Sequence, residues 1–187
     1  MTGIASKSQL RMSFLRYALV TVPAIVLLGT LSGALSGSGA GNAWYQALEK
    51  SPLNPPDWVF GLVWPILYVL LGLSLALVLH AKGAANRNRA LALFGSQLLL
   101  NFAWSPVFFA YHQVGLALSI IAAMLVATFV LIILAWRVRV LAGLLLYPYL
   151  GWLMFAGLLN YEIVVRNPDA ATLEPGPRTI DIQLNSV

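Results

Sequence analysis

The chain has 187 residues, of which 60% are apolar and only 9% carry a charge. A soluble globular domain has roughly 45–50% apolar and about 25% charged residues, so the composition excludes a soluble fold, and the high hydrophobicity excludes a disordered chain. The chain has no cysteine, which excludes disulfides, thiolate nucleophiles and cysteine-ligated metals. The composition is that of an integral membrane protein.

The charged residues divide the chain into apolar stretches, and a helix needs about 20 such residues to cross a bilayer. Stretches without Asp, Glu, Lys or Arg occupy residues 17–48, 58–81, 90–136 and 140–161. The third stretch is long enough for two spans, and a polar cluster around His112 separates them. The sequence therefore predicts an all-α bundle of five transmembrane helices, near residues 15–37, 58–80, 90–110, 115–136 and 140–165.

This five-helix domain, residues 15–166, is flanked by two polar segments. Residues 1–14 form a polar N-terminal segment, and residues 167–187, which are rich in proline, are expected to be a disordered tail. The basic N-terminal residues, the apolar stretch and the small-residue sequence at 34–36 also fit a cleavable signal peptide. Because the apolar stretch is long enough to span the bilayer, retention of the first helix is favoured.

Three glycines of the first predicted helix, Gly29, Gly33 and Gly37, repeat at intervals of one helical turn. Small residues at this spacing let two membrane helices pack closely. The stripe fits either packing within one chain or contact in a homodimer, and the sequence does not separate the two.

The first loop, roughly residues 38–57, combines aromatic residues with prolines that stiffen its second half. Trp44 lies in its first half, and Trp58 follows its end. Asp57 is expected to cap the second transmembrane helix. A rigid aromatic loop fits a lid over the mouth of the bundle, or an anchor at the headgroup level, where Trp and Tyr are enriched.

Aromatic and amide side chains recur on one face of three predicted helices. The second helix has Trp64 and Tyr68 at a spacing of one turn. Polar groups at membrane depth tend to face the bundle interior, so the three faces predict a shared aromatic cavity. Helix packing with interhelical hydrogen bonds is the alternative role for each face. The third and fifth helices contribute Gln97, Asn101, Trp104 and the adjacent Ser105, and Tyr149, Trp152, Ala156 and Asn160.

Prolines at positions 23, 65, 106 and 148 fall within or at the ends of the predicted spans. Each proline removes a backbone hydrogen bond and can kink its helix, which opens space for a pocket.

Other chemistries leave little trace in the sequence. Glu162 and Arg166 are one turn apart and predict an ion pair near a helix end. His80 and His112 lack companions at metal-ligand spacing, so no metal site is predicted.

Lys and Arg are distributed unequally between the two sides of the predicted bundle. The N-terminus and the second and fourth connections carry eight of the 11, and the other side carries Lys50, Arg166 and Arg178. Loops rich in Lys and Arg stay on the cytoplasmic side. In a bacterial inner membrane the N-terminus would be cytoplasmic, and this asymmetry accounts for the net charge of +5 without a nucleic-acid partner.

Four motifs follow one another along the chain. They are Trp44-Tyr45, Asn54-Pro55-Pro56 with Trp58 and Trp64, Asn101-Phe-Ala-Trp104 with Pro106, and Tyr147-Pro148-Tyr149 with Trp152. Together they resemble the translocator protein, or tryptophan-rich sensory protein, family, which includes the peripheral benzodiazepine receptors. The resemblance covers roughly residues 20–166. One departure is Leu53, where many members carry an aromatic residue, and it predicts a less aromatic wall on the lid.

The resemblance implies a homodimeric five-helix bundle in the lipid bilayer, with a ligand pocket under the first loop. In the family this pocket binds porphyrins, notably protoporphyrin IX, and synthetic aromatic ligands, and no cofactor is required. Matching the motifs assigns eight residues to the pocket: Trp44, Trp58, Trp64, Tyr68, Asn101, Trp104, Trp152 and Ala156. A looser sterol motif of the last helix corresponds to Leu159, Tyr161 and Arg166.

Three functions are consistent with the resemblance. The first is a membrane protein that binds porphyrin as a sensor, scavenger or carrier. The second is an enzyme that promotes light-dependent oxidative degradation of bound porphyrin, with Trp64 and Trp152 as candidates for electron transfer. The third is a transporter of small molecules or sterols, which the lack of internal repeats and midplane charges disfavours.

Overall fold

The computed structural model describes residues 7–173, with side chains from Met12 onward. Within these residues there is no β-strand. A π-helical turn, Pro106–Ala110, extends α4, and a short 3-10 helix, Ala170–Thr172, follows α7. The α-helices are α1 (Lys7–Leu35), α2 (Ala43–Ala47), α3 (Asp57–His80), α4 (Arg87–Ser105), α5 (Val114–Val138), α6 (Val140–Leu144) and α7 (Tyr147–Arg166).

Five segments are long and apolar enough to cross a membrane, which confirms the predicted all-α bundle of five spans. α1 begins at Lys7, inside the predicted polar segment 1–14, because no glycine or proline interrupts residues 7–14. The first six residues of that segment lie outside the described part of the chain. The five spans are Met12–Leu35, Asp57–His80, Arg87–Ala110, Val114–Val138 and Val140–Arg166.

The fifth span consists of two helices rather than the single helix predicted over 140–165. α6 ends at Leu144, and α7 begins at Tyr147 with Pro148 in its first turn. Proline is tolerated in a first turn, where its missing N–H has no helical partner, so the break falls just before it. Ser74 of α3 holds α6 in place by donating its hydroxyl to the carbonyl of Ala142 at 2.8 Å.

Glycines bring the backbones of α1 and α3 close together. A Cβ atom on Gly72 would lie 2.6 Å from the Cα of Val22, and one on Gly29 would lie 2.3 Å from the ring of Tyr68. Thr21 adds a hydrogen bond from its hydroxyl to the carbonyl of Gly72 at 2.8 Å. Because Gly29 faces Tyr68 of the same chain, the glycine stripe serves packing within the chain.

The other two glycines of the stripe have local roles. A Cβ atom on Gly33 would lie 2.9 Å from the hydroxyl of Ser38, which donates to the Gly33 carbonyl. Gly37 follows the end of α1 with a φ of +65°, the left-handed conformation that glycine adopts there without strain. None of the three glycines therefore has to be explained by contact with a second copy.

Pro106 changes the form of α4 at its end. Its nitrogen has no hydrogen, so the carbonyl of Phe102, four residues earlier, loses its helical partner. Ser32 of α1 supplies a replacement by donating its hydroxyl to that carbonyl at 2.6 Å. The chain continues as a π-helical turn, which carries Phe108 into the bundle, where its side chain is buried.

The predicted cap of α3 was wrong. Asp57 is the first residue of the helix, Pro56 occupies the cap position, and no side chain bonds the free N–H groups of the first turn. The carboxylate nevertheless lies at the positive end of the helix dipole, where a negative charge is favourable.

The predicted disordered tail was wrong for residues 167–173. Asn167 donates to the carbonyl of Glu49 at 2.9 Å, and the indole of Trp44 donates to the carbonyl of Ala170 at 2.8 Å. The polar composition concealed this order, since the segment is held by backbone and amide hydrogen bonds to the first loop and by the burial of the small Ala170 beside Trp44. Residues 174–187 lie outside the described residues.

Candidate ligand-binding site

A cavity of about 480 Å³ lies inside the bundle, at the end where α1 leads into the first loop. Small-molecule sites usually measure roughly 300–1,000 Å³, so this volume suits a compact organic ligand. Its wall is formed by α1, α3, α4, α5, α7 and the first loop, and most of the lining side chains are apolar or aromatic.

Six of the eight residues that the sequence assigned to a pocket line this cavity. The faces of α3, α4 and α7 therefore meet around one space, as the spacing of their residues indicated. The six are Trp64, Tyr68, Asn101, Trp104, Trp152 and Ala156.

The other two residues, Trp44 and Trp58, are absent from the cavity wall. Trp44 is only 3% exposed, and its ring stacks on the imidazole of His112 with 4.1 Å between centroids and meets Phe108 edge-on. Trp58 is 67% exposed, in the first turn of α3. Trp44 thus holds the first loop onto the bundle, while Trp58 has the exposure of an interfacial anchor.

Aromatic rings form two opposite parts of the wall. On one side Trp64 and Tyr68 of α3 lie 5.5 Å apart between ring centroids. On the α7 side, Trp152 meets Phe60 edge-on at 5.8 Å. Because each ring is fixed by a neighbouring ring, the wall offers preformed apolar faces to a flat ligand.

The wall formed by α4 is also aromatic. Trp104 and Phe108 are stacked at 5.0 Å with an angle of 19° between their planes, and Phe109 lies edge-on to both. The π-helical turn places Phe108 in this stack. The indole of Trp104 donates to the amide oxygen of Asn160 at 3.4 Å, which connects α4 with α7.

A buried hydrogen-bond network centres on Tyr149. Gln97 and Asn101 both donate from their amide nitrogens to the Tyr149 hydroxyl, the Asn101 contact measuring 2.8 Å. The hydroxyl donates to the sulfur of Met124 at 3.7 Å. The network joins α4, α5 and α7, and it fixes the amide of Asn101 at the edge of the cavity.

Three polar atoms of cavity-lining residues are buried without a hydrogen-bond partner. They are the amide oxygen of Asn101, the hydroxyl of Ser105 and the indole nitrogen of Trp152. An unpaired polar atom in an apolar surrounding costs about 1–3 kcal/mol, so each gains from a ligand that completes its hydrogen bond. The Asn101 oxygen can only accept a hydrogen bond, the Trp152 N–H can only donate one, and the Ser105 hydroxyl can do both.

The first loop covers the cavity with Tyr45 and Asn54, whose side-chain oxygens lie 3.4 Å apart. Burial raises the pKa of the Tyr45 hydroxyl, so this group stays neutral at ordinary pH. The Lys50 ammonium sits 4.6 Å from the centroid of the Tyr45 ring, and its partial burial lowers its pKa. The contact is a cation–π interaction that holds the second half of the loop against the first.

Asn167, just beyond α7, fastens the first loop in its closed position. Its amide oxygen accepts from the backbone N–H of Glu49 at 2.8 Å, and its amide nitrogen donates to the Glu49 carbonyl at 2.9 Å. The same nitrogen donates to the carbonyl of Ile163 at 2.9 Å. The loop therefore has the position of a lid, and Asn167 is its latch.

Many wall residues were not assigned to the pocket from the sequence, and Gly29, Phe60 and Phe108 are three of them. The turn-by-turn glycine spacing was a signal for Gly29, but no sequence pattern announced the π-helical turn that positions Phe108. Leu53 is absent from the wall and is exposed. The departure from the family pattern at Leu53 therefore leaves the aromatic character of the cavity unchanged.

The three residues of the sterol motif do not share one surface. Leu159 is buried and lines the cavity, whereas Tyr161 is exposed on the outside of α7. Arg166 forms the predicted ion pair with Glu162, at 2.7 Å between the closest atoms. Leu159 and Tyr161 are two residues apart on a helix, which turns their side chains to opposite faces.

Comparison with known proteins agrees with this architecture. A family model described as the TspO/MBR family matches residues 20–166. The translocator protein of Bos taurus is 39% identical over 153 residues, covering 76% of this chain and 88% of its own length. The tryptophan-rich protein TspO of Archaeoglobus fulgidus is 35% identical over 147 residues, covering 79% of this chain and 94% of its own.

A third relative, the tryptophan-rich sensory protein of Cereibacter sphaeroides, is 36% identical over 124 residues, covering 66% of this chain and 77% of its own. The family-model match over residues 20–166 reaches all five membrane helices and contains every residue of the cavity wall. The chain is an integral, multi-pass membrane protein that belongs to the TspO/MBR family.

Proposed function

We propose that the protein binds a flat, largely apolar aromatic ligand in its cavity, and that porphyrins such as protoporphyrin IX are the ligand class. The observation that carries this proposal is the combination of ordered Trp and Tyr rings with three wall residues whose polar atoms are buried without a hydrogen-bond partner. A macrocycle stacks on aromatic faces, and few but well-placed polar groups set its orientation.

The polar atoms suit the periphery of a porphyrin. A propionate carboxylate can accept a hydrogen bond from the Trp152 indole nitrogen and from the Ser105 hydroxyl, both of which are buried without a partner. Hydrogen bonds to a charged acceptor are roughly twice as strong as neutral ones. A ligand with a carboxylate therefore gains binding free energy from these hydrogen bonds. A purely apolar ligand would leave the same polar atoms without a partner.

Light-dependent oxidative degradation of the bound porphyrin is a second candidate function. It is favoured by the pair of Trp64 and Tyr68 on the wall, whose ring centroids are 5.5 Å apart. The light-excited porphyrin would transfer one electron to dioxygen, with the Trp64 ring as the candidate to mediate the transfer. The superoxide formed would add to the porphyrin radical cation, so that the porphyrin is oxidised and the dioxygen is reduced. Trp152 is the second candidate because its ring lines the same cavity.

The test is a titration of the purified protein with protoporphyrin IX, followed by quenching of tryptophan fluorescence in the dark. We expect saturable binding. Trp64→Phe should weaken it because Trp64 lines the cavity, whereas Trp58→Phe, which also removes one exposed fluorophore, should leave the affinity unchanged. Equal affinities for both variants, or no saturation with the protein folded, would overturn the assignment of the cavity.

Illumination of the saturated complex separates the two functions. A new porphyrin-derived pigment that forms with the wild type, and fails to form when Trp64 and Trp152 are replaced by Phe, supports the enzyme. An unchanged porphyrin spectrum after illumination supports binding alone.

We also propose that the N-terminus is cytoplasmic when the protein resides in a bacterial inner membrane. The support is the excess of Lys and Arg at the N-terminus and in the α3–α4 and α5–α6 connections.

A further inference from the structure

Most of the positive side chains lie at the end of the bundle opposite to the negative ones. Among the described side chains, one end carries six Lys or Arg residues and no carboxylate, and we call it the basic end. It comprises the N-terminal half of α1, the α3–α4 connection and the α5–α6 junction. The acidic residues Glu49, Asp57, Glu162 and Asp169 all lie at the other end. The six cations are Arg16, Lys82, Arg87, Arg89, Arg137 and Arg139.

Among the described residues, the cations of the basic end have no acidic partner. In residues 12–173 the one ion pair joins Arg166 with Glu162, at the other end of the bundle. Arg87 donates to the backbone carbonyl of Leu79, in the last turn of α3. Within this part of the chain, no carboxylate neutralises the positive charge of the basic end.

Arg139 has a particular arrangement within the basic end. Its guanidinium contacts the Nδ1 atom of His80 at 3.3 Å, the single side-chain hydrogen bond found for it among the described residues. The rings of Phe14 and Tyr17 meet the His80 imidazole edge-on, each at 6.4 Å between centroids. One edge of the guanidinium is thus held by the imidazole ring, and its other N–H groups stay available.

The neighbours of Arg139 place it at the boundary between headgroups and acyl chains. Trp136, Val140 and Leu141 are all exposed on the outside of the bundle, next to it in sequence. Met12 of α1 is exposed as well. Exposed apolar side chains beside an exposed Arg are typical of the membrane interface, where the charged group reaches toward the headgroups.

We propose that the basic end binds the headgroup of an acidic phospholipid, with Arg139 as the central residue. A guanidinium can give two parallel hydrogen bonds to a phosphate, which an ammonium group cannot. The contact with His80 pre-orients the guanidinium, and Lys82 and the other arginines add charge attraction. A preference of basic loops for the cytoplasm explains the number of cations, but it does not predict that the folded protein is stabilised by one class of lipid.

The test uses the full-length protein in nanodiscs of phosphatidylcholine that contain increasing fractions of phosphatidylglycerol. The readouts are the thermal unfolding midpoint and the number of phosphatidylglycerol molecules retained after extraction, measured by native mass spectrometry. We expect both to rise with phosphatidylglycerol in the wild type. Each Lys or Arg near an anionic surface contributes roughly fivefold in affinity, so Arg139→Gln should reduce retention about fivefold.

Two further variants separate a headgroup site from a general effect of charge. Lys50→Gln removes the same charge at the other end of the bundle and should retain as many phosphatidylglycerol molecules as the wild type. Arg139→Lys keeps the charge but loses the paired donors, and it should fall between wild type and Arg139→Gln. Equal retention by Arg139→Gln and Lys50→Gln, or equal stabilisation by both lipids in the wild type, would overturn the proposal.

Discussion

At the scale of single residues, Tyr149 has the largest structural influence on the cavity. It is completely buried and receives the amide groups of Gln97 and Asn101. Both amides belong to α4, and their orientation depends on one hydroxyl of α7, but only Asn101 lines the cavity. The tyrosine therefore supports the wall without touching the cavity itself.

Replacement of Tyr149 by Phe removes only the hydroxyl and leaves both amide nitrogens without their acceptor. Each buried polar group that loses its partner costs about 1–3 kcal/mol, so we expect Tyr149→Phe to lower the thermal unfolding midpoint in detergent clearly below that of the wild type. Tyr161→Phe is the matched control because Tyr161 is exposed on the outer side of α7. If both variants melt like the wild type, the network does not stabilise the fold.

Most of the residues that the sequence assigned to the cavity do line it, because their helical spacing is regular. Trp64 and Tyr68 share a face of α3 by spacing alone, and they do line the cavity. Trp44 and Trp58 lie in or beside the first loop, where no periodicity tells which side faces inward. Their positions depend on tertiary contacts, such as the stack of Trp44 on His112, that only the folded chain defines.

At the scale of elements, the five spans follow from charge placement, but their irregularities do not. The π-helical turn at Pro106 depends on Ser32, a residue of another helix, which bonds the carbonyl that proline leaves free. The division of the last span at Leu145 likewise follows from the proline of α7. Proline in a sequence shows that a helix is perturbed, and the neighbouring helix decides the form of the perturbation.

The latch formed by Asn167 predicts the dynamics of the first loop. Asn167→Ala removes two hydrogen bonds to Glu49, each worth about 0.5–1.5 kcal/mol, so we expect amide exchange in residues 43–50 to accelerate about tenfold or more. Hydrogen–deuterium exchange followed by mass spectrometry measures this without a ligand. Asn86→Ala, in the α3–α4 connection, is the control and should leave exchange in the loop unchanged. Unaltered exchange in both variants would show that Asn167 does not hold the loop in place.

At the scale of the whole molecule, charge divides the bundle into a basic and an acidic end, and the absence of cysteine makes this division testable. Single cysteines can be introduced at Lys82 and at Asp169, which are exposed at opposite ends. In a bacterial inner membrane we expect a membrane-impermeant thiol reagent to label Asp169→Cys from the outside, and Lys82→Cys only after permeabilisation. Labelling of Lys82→Cys from the outside, and of Asp169→Cys only after permeabilisation, would show that the protein has the opposite orientation.

The homodimer implied by the family resemblance stays a prediction at this scale. The glycines that fitted a dimer contact pack inside the chain, where Gly29 touches Tyr68. A second copy would therefore have to use another face of the bundle.

The hydrogen bonds that close the lid have a consequence for biosynthesis. Glu49 and Asn167 are 118 positions apart, so the latch does not exist until the last helix has left the ribosome. At about 5–20 residues per second, the first loop is translated some 6–24 seconds before its partner. During that interval the first loop lacks these two hydrogen bonds. A chain truncated before Asn167 would lack them permanently, so its first loop would be held over the cavity less firmly.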